Sequence, residues 1–268
     1  MSDNSPALRI FSYIPNPRVF KATIAGRMCG VSVEWRGDRP AALADWLWDF
    51  DARPLAEAPH EAAAANARQS RVGFRGTLVK TEAFLDAHPF GTVPAAWSAD
   101  GSVGIFESNS ILRSVARLGR PDAGLYGSDG YEASRIDSFL DVSLLFARET
   151  QIYLLAAGGD ALSAQQSQDA ERAYVTYLAG IDRALRDRSF LVGDRISIAD
   201  IAFVCELLLC HVELPRKKNL EEKRLPCILA KLAESGDFPR AFAHFDALTS
   251  HPAFAPDCIP YLEKMKAA

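Results

Sequence analysis

Ser12, Tyr13 and Asn16 crowd one short turn between an alternating apolar run and Pro17, and together they offer two hydroxyls and a carboxamide. Donors of this kind, aimed at a nucleophilic atom, favour its anion and lower its pKa. The plainer alternatives are an asparagine turn beside a proline and half-buried packing for the tyrosine. Glu107 and Ser108 stand where an extended run gives way to a helical one. Free amides and a hydroxyl at a helix start suit a carboxylate, and Glu107 suits an ammonium. The same residues, with Asn109, would equally serve as a helix cap; the two uses can coexist. Val93-Pro94 is a third point of interest. An X–Pro bond takes the cis form for about 0.5–1 kcal/mol and then turns neighbouring backbone groups toward a ligand. Otherwise the proline simply closes an edge strand. Ser197-Ile198-Ala199-Asp200, ahead of the apolar run Ile201 to Cys210, has the hydroxyl-then-acid spacing of a capping box, with Ile196 and Ile201 placed as its staple. Asp200 is therefore read as a folding device and not as an active-site acid.

Other chemistries find little to work with. The five histidines have no metal-ligand spacing, so no metal is assigned. The five cysteines are an odd number without a CxxC pair, which points to reduced thiols in the cytosol. A net charge of -4 disfavours nucleic acid as a partner. No apolar run is long enough to cross a bilayer. Met1 to Pro6 lacks the features of a secretory signal.

The elements that must position these residues fall into two kinds. Residues 8–13 alternate as a strand. Val19, Ala22, Ile24, Ala25 and Met28 then suit one side of a helix ending near Gly30, and Val31 to Trp35 reads as a second strand. This is a βαβ opening. The Trp46-Leu47-Trp48-Asp49-Phe50 cluster follows, then an alanine-rich stretch from Glu57 to Arg68 predicted to be helical, then turns at Gly73 and Gly76. Pro94 to Trp97 and Val103 to Phe106 flank an Asp-Gly turn and predict a hairpin, with a helix over Ile111 to Leu118 beyond it. Arg120 to Gly130 reads as a linker. From Tyr131 almost everything follows a 3.6-residue period; Ile136, Phe139, Leu140, Ser143, Leu144 and Ala147 make one face. A strand-bearing half followed by a helix-only half implies two domains.

Four segments, in order, carry a resemblance to the glutathione transferase family: Ile10 to Met28, His88 to Pro94, Phe106 to Leu112, and Phe190 to Asp194 running into Ser197 to Asp200. Asn16 to Ala22, Val103 to Asn109 and Phe190 to Cys205 are similar to the transferase-like region of elongation factor one gamma subunits, whose further C-terminal domain this sequence lacks. The resemblance implies an α/β plus all-α fold. An N-terminal thioredoxin-like domain (βαβ–ββα) over residues 1–122, with an insertion at about 38–76, precedes an all-helical C-terminal domain over residues 131–268. It implies glutathione as co-substrate, held by Thr92, Val93 and Pro94 along its cysteinyl backbone. Its γ-glutamyl end, which bears a carboxylate and an ammonium on one carbon, would meet Glu107, Ser108 and Asn109. The thiol donor would be Asn16, Tyr13 or Ser12, in that order of preference, with Arg18 adding positive potential. Trp46, Trp48 and Phe50 read first as core; should the insertion lie over the cleft, they would instead form an apolar lid, with Phe139, Phe146 and Tyr153 further walls, for an apolar, aromatic electrophile. The activity implied is a cytoplasmic transferase of detoxification or aromatic metabolism, with aryl ether cleavage a special case. A glutathione-dependent disulfide reductase and a non-catalytic scaffold stand as alternatives. The partner implied is a second copy of the chain, or a related chain in a heterodimer, and neither nucleic acid nor membrane.

Overall fold

The computed structural model describes residues 6–70, 74, 76–159 and 161–267. The predicted turn at Gly73 and the segment Met1 to Ser5 lie outside the described residues. The chain divides into two compact units, Met1–Ala123 and Gly124–Ala268.

The first unit opens with β1 (Leu8–Phe11), α1 (Pro17–Cys29) and β2 (Val33–Arg36). α1 starts where Asn16 caps it and where Pro17 occupies a position whose amide has no helical partner anyway. It stops at Gly30, whose φ of 77° provides the left-handed turn that ends the helix. β2 returns parallel to β1, with Leu8 opposite Val33 and Phe11 opposite Arg36. On the other side of β1, β7 (Ala95–Ser98) runs antiparallel and carries β8 (Gly104–Phe106), giving the order β2-β1-β7-β8. α4 (Ser108–Leu118) follows and packs against α1. This is the predicted thioredoxin-like arrangement.

Between β2 and β7 the chain builds a second four-stranded sheet from β3 (Trp46–Trp48), β4 (Arg53–Pro54), β5 (Ala67–Gln69) and β6 (Thr77–Lys80), in the order β4-β3-β6-β5. α2 (His60–Ala65) and α3 (Glu82–Ala87) accompany it. The helix predicted over Glu57 to Arg68 is thus only six residues long. Its last predicted residues instead pair with β6, Ala67 opposite Val79 and Arg68 opposite Leu78. A strand partner distant in sequence overrides local alanine propensity.

The aromatic cluster proves to be core. Trp48 is 0% exposed, donates its indole N–H to the Leu43 carbonyl at 2.9 Å, and meets Phe11 and Phe84 edge-on. Trp46 and Phe50 pack against the same cluster, Trp46 beside Phe11 and Phe50 beside Trp97. The predicted apolar lid is therefore corrected for Trp48: it joins the two sheets of the first unit, and its enclosed ring has no face left for a substrate.

The second unit is helical. It contains α5 (Gly130–Ala156), α6 (Ala164–Ala184), α7 (Ile198–Cys210), α8 (Lys217–Glu222), α9 (Ile228–Ser235), α10 (Pro239–Thr249) and α11 (Ala255–Ala267). α5 packs against α6 and α7, and α7 is buried along nearly its whole length. The predicted capping box at its start is formed. Asp200, 0% exposed, accepts from the amides of Ser197 and Leu191 and lies 2.9 Å from His244 Nε2. Among the described residues, no helix is long and apolar enough to cross a membrane.

Candidate functional site

The candidate site lies in the first unit and rests on three junctions around the β1-β7-β8 sheet. The first is the turn leaving β1. Asn16 Oδ1 accepts from the Arg18 amide at 3.0 Å and Asn16 Nδ2 donates to Ser12 Oγ at 3.0 Å. Both side chains are enclosed, each 1% exposed. Tyr13 is half-buried, with part of its ring against the aromatic core. Arg18 contributes its amide to the cap, and its side chain is half-buried. The turn is closed from below by Gly37, where a Cβ would fall 1.7 Å from the Ser12 carbonyl oxygen, so only glycine permits the approach.

The second junction is the loop from α3 into β7. The Val93–Pro94 peptide is cis. His88 is enclosed, stacks on Phe106 at 4.9 Å, and places Nε2 3.0 Å from Thr92 Oγ1. Burial, with the Lys80 ammonium nearby, holds the His88 pKa down at about 4. Lys80 donates to the Gly91 carbonyl at 2.6 Å. Thr92 and Val93 are left half-buried and Pro94 buried.

The third junction joins β8 to α4. Glu107 is exposed and has a φ of 65° and a ψ of 125°, a backbone that residues with a side chain rarely adopt. Ser108 and Asn109 are buried in the first turn of α4. Beneath them lies Lys21 of α1, 0% exposed, donating from Nζ to Ser108 Oγ at 3.2 Å and to Asn109 Oδ1 at 2.7 Å. Sequence reasoning passed over Lys21, Lys80 and His88. For Lys21 a signal existed: at helical spacing it shares a face with Ile24 and Ala25, the buried side of α1.

Of the further wall candidates, Phe146 is 4% exposed, stacked on Tyr177 at 4.3 Å and edge-on to Tyr174. Tyr153 is 1% exposed, and burial pushes its phenol well above the usual range. Both are core residues of the second unit, which corrects the expectation for them. Phe139 lies in a groove of about 650 Å³ between α5 and α6, beneath the Arg135 guanidinium. Among the described residues no cluster of three or more His, Cys, Asp or Glu side chains is gathered to hold a metal.

A strand-bearing unit with a parallel β1-β2 pair, a cis-proline loop and a sheet-to-helix junction, followed by a helical unit, defines the glutathione S-transferase fold. Residues 137–252 match the family described as glutathione S-transferase, C-terminal domain. A theta class glutathione S-transferase from Xanthomonas axonopodis pv. citri, solved with glutathione bound, superimposes with a TM-score of 0.63 over 96% of this chain and 99% of that one; at 18% identity the likeness is one of fold. The chain thus has the glutathione S-transferase fold, and part of its second unit matches that family's C-terminal domain. In sequence it is similar to elongation factor 1-gamma proteins. It is 30% identical over 203 residues to a probable elongation factor 1-gamma 1 of Arabidopsis thaliana, a match covering 72% of this chain and 45% of that protein. It is 33% identical over 196 residues to the elongation factor 1-gamma of Artemia salina, covering 64% and 43%. The chain thus spans less than half the length of these relatives.

Proposed function

We propose that this protein is a glutathione transferase whose first unit binds the tripeptide across the three junctions. The cysteinyl backbone lies along Thr92, Val93 and Pro94. The γ-glutamyl end meets Ser108 and Asn109 with its carboxylate and Glu107 with its ammonium. The thiol then faces the turn after β1. There Tyr13 is the donor that keeps surface of its own, while Asn16 and Ser12 are enclosed and occupied with each other. A donor at that point holds the sulfur as thiolate. The thiolate attacks an electrophilic carbon of an apolar compound, forming a carbon–sulfur bond while the leaving group departs with its electron pair.

The observation that carries this reading is Glu107. An exposed acid in a strained backbone, directly before the buried Ser108 at a helix start, persists only where its surroundings over-determine it, and such strain concentrates at ligand clamps. Calorimetry on the full chain tests it. Glutathione should bind, and Ser108→Ala should weaken binding by about 1–3 kcal/mol by removing a hydrogen bond to a charged group. No uptake at millimolar glutathione would end the catalytic reading.

Aryl ether cleavage loses its main support, because Trp48 is core and not lid. A disulfide reductase finds no cysteine between Ser12 and Pro17. A non-catalytic scaffold is favoured by the similarity to elongation factor 1-gamma, and turnover of an activated aryl halide with glutathione separates it from the enzyme. Cytosolic residence accords with five cysteines in the thiol form.

The partner in this reading is a second copy docking on the α5–α6 face. Val142, Leu145 and Ile152 of α5 form an apolar stripe, 50%, 65% and 54% exposed. One end of the face carries Arg135, Arg183 and Arg188, and the other carries Glu149 and the Asp169–Arg172 pair. A two-fold axis through the middle would set the basic end of one copy against the acid of the other.

A further inference from the structure

Arg135 of α5, Arg183 of α6 and Arg188 just beyond α6 are exposed, and none of them makes an ion pair among the described residues. Arg135 holds its guanidinium 5.0 Å over the Phe139 ring, which attracts a cation more weakly than a carboxylate does. All three line one groove of about 650 Å³ between α5 and α6, and among the described residues no acid lines it with them. Like charges gathered without a counter-charge repel one another. A cleft lined by one sign of charge over apolar walls concentrates ions of the other sign.

The floor between the arginines is apolar. Ile181 and Leu191 are buried there and Phe139 is half-buried. Gly180 of α6 lines the groove as well, and a Cβ at that position would meet nothing within 4 Å, so the space is open. A groove of this volume has the size of a small-molecule site. Planar guanidinium forks hold a carboxylate or sulfonate through paired hydrogen bonds, while the apolar floor takes a flat body.

A second copy on this face does not neutralise the arginines. Of the two acids that line its other end, Asp169 already pairs with Arg172, which leaves Glu149. One carboxylate against three guanidinium groups leaves two without a counter-charge.

We propose that this groove binds small aromatic anions, with a carboxylate or sulfonate head on Arg183 and Arg188 and the ring on Phe139, Ile181 and Leu191. The site lies wholly within the second unit and stands apart from the glutathione reading.

The test is calorimetry on the full chain with β-naphthoate and with β-naphthamide, which keeps the ring system and lacks the charge. The wild type should bind the naphthoate about tenfold more tightly than the amide, and the double variant Arg183→Gln, Arg188→Gln should remove that preference by weakening the naphthoate alone. Both arginines are exposed, so the variant loses little packing. Gly180→Leu fills the groove from a helical position that accepts a side chain, and it should block both ligands. Equal affinity of the wild type for the two ligands, naphthoate binding indifferent to these variants, or no uptake at millimolar concentration would each overturn the proposal. Arginine changes that alter only the dimer in sedimentation, with naphthoate binding intact, would assign the three residues to the second copy and overturn it as well.

Discussion

Burial separates the three donors of the first turn. Asn16 and Ser12 bond to each other, and Asn16 also caps α1, so both are accounted for by folding. Tyr13 is the member of the set with surface to spare. Tyr13→Phe should therefore raise the pKa of bound glutathione, read from thiolate absorbance against pH, with little change in stability. Asn16→Ala should do the reverse: a loss of about 0.5–2 kcal/mol in chemical unfolding, typical of a lost cap, and an unaltered thiol pKa. A shifted pKa in Asn16→Ala with none in Tyr13→Phe would return the donor role to Asn16. The resemblance put Asn16 ahead of Tyr13, and a resemblance in sequence says nothing of enclosure.

The loop from α3 to β7 shows how an element can be held by a group that must stay neutral. His88 is enclosed against Phe106 with its pKa lowered from 6.5 to about 4. The unfolded chain takes up the proton at higher pH than the folded one. Its contribution is therefore complete above pH 6.5 and is lost as pH falls toward about 4. The stake is at most about 3 kcal/mol. Urea midpoints between pH 7 and 4.5 should fall more steeply in the wild type than in His88→Gln, and parallel slopes would sink this account.

The other elements differ in how legible they were. β1, α1, the hairpin, α4 and the α7 cap each declare themselves through local spacing, caps and turns. The second sheet does not, since β3 pairs with β6 about thirty residues away and neither strand alternates clearly.

At the scale of the molecule, the apolar stripe of α5 is the feature the single chain leaves unsatisfied. Three large apolar residues more than half exposed, or nearly so, on one helix exceed ordinary scatter. Sedimentation should find a dimer at micromolar concentration. Leu145→Glu, which puts a charge into the stripe where the chain itself loses little packing, should give a folded monomer. A wild-type monomer, or a dimer indifferent to this change, would exclude the α5–α6 face.

The βαβ opening, the hairpin, α4 and the helical run from Tyr131 were legible in the sequence, because each depends on residues close together in the chain. The tertiary structure decided which side chains are enclosed. It moved Trp48, Phe146 and Tyr153 into cores, closed Asn16 and Ser12 off, and brought Lys21 under Ser108 from 87 residues away. Enclosure depends on every element that packs against a residue, and no local pattern contains that sum.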